Sequence, residues 1–100
     1  MEIKVRNMKS KNGNSVPNQF LIDTDTGKYN STTFQSYKTH IARKIWTLGK
    51  TVLDKNSWDY SVTTGKYRNQ FLNETKKETE AKIKSGEYKL VNLNKDYLKE

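Results

Sequence analysis

Ser61, Thr63 and Thr64 place three hydroxyls close together in the chain, and Lys66 and Arg68 follow in the next turn. Residues of these types serve anion binding. The first amide N–H groups of a helix are free and carry a partial positive charge, which suits a phosphate or a carboxylate. Hydroxyls and two cations beside such a helix start would complete the pocket. Ser61 is also a good N-cap residue, so the plainer reading of the same stretch is a capped core helix. A second set lies earlier in the chain. Lys38, Arg43 and Lys44 stand near Tyr29, Tyr37 and Trp46, and cations interleaved with rings can hold a nucleic-acid strand by phosphate contacts and base stacking.

Other chemistry is not expected. His40 is the sole histidine and cysteine is absent, which leaves no thiolate or multi-histidine metal site. Asp23 and Asp25 read as caps of a turn. No nucleophile motif surrounds Ser36 or Ser61, and no glycine-rich phosphate loop is present. The sequence predicts a binding protein without enzymatic activity, cofactor or metal.

These residues need elements to position them. From Ser61 onward, Thr64, Tyr67, Phe71 and Leu72 recur at helical spacing with Tyr60 ahead of them, so a helix over Ser61 to Asn73 should bury that face. Lys66, Arg68, Asn69 and Asn73 should then face water. Thr75 and Glu78 form a Thr-x-x-Glu capping box that starts a second helix over Lys76 to Ser85, with Gly86 as its stop. Glu78–Lys82 and Glu80–Lys84 should pair along it. Strands are expected over Glu2 to Met8, Asn18 to Thr24, Tyr29 to Tyr37, Thr51 to Asp54 and Tyr88 to Leu93. The third strand should continue through Ile45; a helix over Gln35 to Trp46 competes, but Thr and Tyr favour the strand. The fold predicted is α+β: a small antiparallel sheet of four to five strands packed on one central helix, with a second short surface helix at its edge.

One hundred residues make one domain, predicted over residues 1–93 with a charged tail over 94–100 in which Tyr97 and Leu98 could form one helical turn. The net charge is +8, and residues 1–50 carry nine cations against three acids. Such a balance favours acidic partners, nucleic acid above all. No apolar run approaches the length of a membrane span, and the charged N-terminus is unlike a signal peptide. A cytoplasmic protein that makes no membrane contact is expected.

Phe34-Gln-Ser-Tyr37 followed by Trp58-Asp-Tyr-Ser-x-Thr-Thr-x-Lys-Tyr-Arg-Asn-Gln-Phe-Leu72 resembles a group of small uncharacterised proteins encoded by phages and prophages of Gram-positive bacteria. Val16-Pro-Asn-Gln-Phe20 and the segment from Thr75 to Asn94 fit the same pattern, so most of residues 1–94 is covered. The resemblance implies a phage accessory protein in an infected cytoplasm and supplies no activity. Two roles follow as expectations. One is a nucleic-acid-associated module using the basic strands and the Ser61 to Arg68 anion site. The other is a protein-binding factor that inhibits or redirects an acidic host or defence protein.

Overall fold

The structure, a computed structural model, describes residues 1–95. The expected turn at Tyr97 and Leu98 lies outside the described residues. The chain folds as β1 (Glu2–Lys9), β2 (Ser15–Asp25), β3 (Asn30–Ser36), β4 (Thr39–Ile45), a 3-10 turn (Trp46–Leu48), β5 (Lys50–Asp54), α1 (Val62–Leu72), α2 (Lys76–Ser85) and β6 (Lys89–Val91). All six strands form one sheet in sequence order. The first five are antiparallel neighbours, and β6 joins β5 in parallel. A parallel partner needs a long crossover, which the two helices provide. The α+β class is as expected, but the sheet is mixed and has one strand more.

The extra strand arises because the long third strand is broken. It turns at Tyr37 and Lys38 and returns as β4, with Ser36 opposite Thr39. Tyr37 takes a left-handed φ of 56°, a conformation costly for a residue with a Cβ. Two hydrogen bonds hold it there: Tyr37 N–H donates to the Asn18 carbonyl at 2.7 Å, and the Gln35 amide donates to the Tyr37 carbonyl at 2.7 Å. No glycine marks the turn, so local composition did not reveal it.

Both helices lie on one face of the sheet. Met8, Phe34, Ile41, Ala42 and Leu53 meet Phe71, Leu72 and Tyr88 there, with Trp58, Tyr67 and Ile83 packed against them. The Phe34 and Phe71 rings sit 5.9 Å apart. Ser61 caps α1 by accepting from Thr64 N–H at 3.1 Å. The capping box of α2 is complete in both directions. Lys82, however, pairs with Glu74 at 2.7 Å rather than with Glu78. The Glu74 carboxylate also accepts from Tyr88 Oη at 2.8 Å and from Thr79 Oγ1, which gathers α1, α2 and the approach to β6 around one acid.

Among the described residues no second layer covers the face away from the helices. Only Met8 of β1 is buried, and Ile3 and Val5 alternate outward onto that open face. Among the described residues no helix is long and apolar enough to cross a membrane.

Candidate functional site

The hydroxyl and cation cluster at the start of α1 divides in two. Thr64 is fully buried; its Oγ1 lies 3.0 Å from Ser36 Oγ, tying α1 to β3. Arg68 was expected toward water but is 1% exposed. Its Nη1 donates to the Trp58 carbonyl at 2.7 Å and to Asp59 Oδ1 at 3.2 Å, and its Nη2 donates to Asn69 Oδ1 at 2.9 Å. The guanidinium stacks 5.2 Å from the Trp58 ring centre. It also packs over Gly65, lying 3.6 Å from where a Cβ would be, an ordinary van der Waals contact. Asp59 bridges Arg68 and Lys76, whose Nζ is 2.7 Å away. Lys76 first, and Arg68 after it, hold the Asp59 carboxyl below its ordinary pKa against a smaller opposing effect of burial. The anion that this cluster holds is therefore the chain's own Asp59. Ser61, Thr63 and Lys66 remain exposed. Ser61 and Lys66 border an open depression of about 660 Å³ that Tyr60 and Val62 also line.

The three cations expected on the strands separate as well. Lys38 is exposed in the β3–β4 turn. Arg43 lies on the open face, where its Nε donates to Thr33 Oγ1 at 2.7 Å. Lys44 is its neighbour in sequence and so points to the opposite, helix-bearing face. There its ammonium lies 4.8 Å from the Phe71 ring centre and 5.5 Å from that of Trp46.

Around Lys44 the structure assembles a site that sequence reasoning grasped only in part. A groove of about 520 Å³ runs beside α1, and its charged lining residues are Arg6, Lys9 and Lys44, all cations. Trp46 forms one wall and is 58% exposed. The ring is fixed rather than loose. Its Nε1 donates to Thr32 Oγ1 at 2.8 Å; that hydroxyl donates to Asp23 Oδ1 at 2.6 Å; Arg6 Nε donates to Asp23 Oδ2 at 3.0 Å. One relay thus orients a ring and a guanidinium on opposite sides of the groove. The Thr32 hydrogen bond first, then Arg6, holds Asp23 below its ordinary pKa, with a smaller contribution from the Lys4 charge. Burial lowers the pKa of Lys44, with Glu74 opposing. Gln70 of α1 donates to the Lys9 carbonyl and pins the far end of β1.

Arg6 and Lys9 were missed because they come from β1, far in sequence from Trp46. The strand alternation that puts Arg6 and Met8 on one face was the available signal. Among the described residues no cluster of His, Cys, Asp and Glu could hold a metal.

Residues 3–87 match the family described as "Family of unknown function (DUF8033)". The chain belongs to that family. The matched segment runs from β1 to the end of α2 and takes in the whole groove. No curated protein and no solved structure matches the chain.

Proposed function

We propose that this protein binds single-stranded nucleic acid in the groove between Trp46 and α1. A base stacks on the exposed face of Trp46, and Arg6, Lys9 and Lys44 take up the neighbouring phosphates. The observation that carries this reading is the fixed yet exposed Trp46 ring in a groove whose charged lining residues are cations. An indole left in water loses burial that a small core could use; held in one orientation, it offers a preformed stacking platform. Single strands fit better than duplex, because only unstacked bases present a free π-face. The resemblance to small phage proteins suggests where such binding acts, in the cytoplasm of an infected bacterium.

The test is fluorescence anisotropy with labelled mixed-sequence single-stranded DNA, single-stranded RNA and duplex DNA over a salt series. Three phosphate contacts on a single strand predict a log–log salt slope of about −2. Trp46→Ala should weaken binding by about 1–3 kcal/mol and leave the melt close to wild type. Failure of every oligonucleotide to bind at low salt overturns the reading. The role to test then is capture of an acidic host or defence protein, by pull-down with nuclease added.

A further inference from the structure

We propose that the chain pairs with a second copy of itself along the free edge of β1, in one register centred on Ile3. β1 is hydrogen-bonded to β2 on one side only and forms the end of the sheet. Residues 1–7 are all exposed. Among the described residues no strand covers the outer side of Glu2 to Asn7, and such an edge is a template for another strand.

The side chains of this edge are unbalanced within one copy. Ile3 and Val5 are 59% and 63% exposed, and neither joins the hydrophobic core. Glu2 lies opposite Asp25, a like charge. Lys4 lies opposite Asp23 and its charge acts on that carboxylate, whose hydrogen bonds go to Arg6 and Thr32 and not to Lys4. Among the described residues, neither Glu2 nor Lys4 has an ion pair.

A two-fold axis at Ile3, perpendicular to the sheet, resolves each of these. In antiparallel pairing, opposed residues share a face. Ile3 then faces Ile3 of the second copy, Glu2 faces its Lys4, Lys4 faces its Glu2, and Val5 faces its Met1. All charged pairs are opposite in sign and lie on the helix side; all apolar pairs lie on the other. Neighbouring registers fail. Centring on Lys4 opposes Lys4 to itself, and centring on Val5 opposes Lys4 to Arg6. The pairing engages Met1 to Val5 of each copy and, being two-fold, closes; Arg6 to Lys9 stay outside it. Because the axis is perpendicular to the sheet, the helices and grooves of both copies face the same side. The pairing needs no nucleic acid and goes beyond that reading.

Sedimentation velocity on the full chain, without nucleic acid, tests it over a concentration series. We expect a monomer–dimer equilibrium. Lys4→Glu, which opposes carboxylates twice per dimer, should weaken it roughly tenfold or more, and Glu2→Lys added to Lys4→Glu should restore it. The chain has no cysteine, so single cysteines report the register. Ile3→Cys should form a covalent dimer under mild oxidation. Val5→Cys should not, because its copies stand four residues apart along the strand, about 13 Å, beyond disulfide reach. A monomer at every concentration, a dimer indifferent to Lys4→Glu, or equal crosslinking of both cysteine variants would each overturn the proposal. Since no oligonucleotide is present, its failure leaves the groove reading untouched.

Discussion

The Trp46 indole N–H donates to the Thr32 hydroxyl at 2.8 Å, and this single bond decides what the exposed ring can do. Thr32 is buried while Trp46 is not. The hydrogen bond is thus anchored at its inner end in the sheet and ends outside in a solvent-facing ring. Lys44 lies 5.5 Å from the centre of the same ring, so a cation stands beside the stacking platform. Holding the ring before binding removes part of the ordering cost that a mobile side chain incurs on contact.

Replacing Thr32 with valine keeps the shape and removes the acceptor. The indole N–H can turn to water, so the loss of stability should be modest, about 1 kcal/mol, and much of it should come from Asp23 losing a donor. Oligonucleotide affinity should fall several-fold although no ligand contact has been deleted. Time-resolved anisotropy of Trp46 should show a freer ring. Unchanged ring mobility together with unchanged affinity would mean that the hydrogen bond does not hold the platform.

Arg68 makes the opposite prediction. It is buried among Trp58, Asp59 and Asn69, so Arg68→Ala leaves the Trp58 carbonyl unpaired and a void under α1. Asp59 is exposed and keeps Lys76, so the cost, about 3 kcal/mol, comes from the void and the orphaned carbonyl, a large share of the stability of a small domain. Arg68→Lys should recover little, because an ammonium cannot reproduce the planar fork. Below the melting transition, oligonucleotide affinity should stay near wild type. A specific loss of binding in a still-folded variant would return Arg68 to the ligand site.

What could be read from the sequence was local. The Ser61 cap, the Thr75–Glu78 box and the stop at Gly86 each rest on residues within a few positions, and each stands where expected. Arg68 shows where two local rules conflict. Thr64, Arg68 and Leu72 are four apart, so the helical period itself put Arg68 on the covered face; its charge argued for water. Asp59 and the Trp58 ring settle the contest in favour of the period. The groove was legible only as Lys44 and Trp46. Its other wall comes from β1, and nothing near Arg6 in the sequence announces β4. Arg43 and Lys44 looked like one basic patch, but the two-residue alternation of a strand sends them to opposite faces.

Gln19 is 1% exposed, and neither its Oε1 nor its Nε2 has a hydrogen-bond partner among the described residues. A buried amide in that state loses its hydration without return. Gln19→Met has nearly the same length and no such requirement. We expect the variant to be at least as stable as wild type, with a gain of about 1 kcal/mol in urea denaturation. A clear loss of stability would show that the amide makes bonds essential to the fold.

His40 gives the protein a pH dependence of known sign. Its backbone N–H donates to Asn94 Oδ1 at 2.7 Å, and its carbonyl accepts from Asn94 Nδ2 at 2.9 Å, which ties the end of the described chain to β4. The ring Nδ1 is buried without a hydrogen-bond partner among the described residues. Burial first, and then the Arg43 charge, lowers the His40 pKa below its ordinary 6.5; contacts with Leu93 and Asp54 oppose this but do not prevail. Between 6.5 and the lower folded value the unfolded chain binds more protons, so stability falls as pH drops through that window. The carboxyls of Asp23, Asp54, Asp59 and Glu74 are all lowered from 3.8 or 4.5 in the folded state, so what they contribute is lost only at more acid pH. With a single histidine in the chain, any decline in melting temperature between about pH 7 and 5.5 belongs to His40. His40→Gln should flatten it, and amide exchange at Leu93 and Asn94 should quicken in wild type over the same interval. A melting temperature that rises on acidification, or a slope that survives in His40→Gln, would refute the assignment.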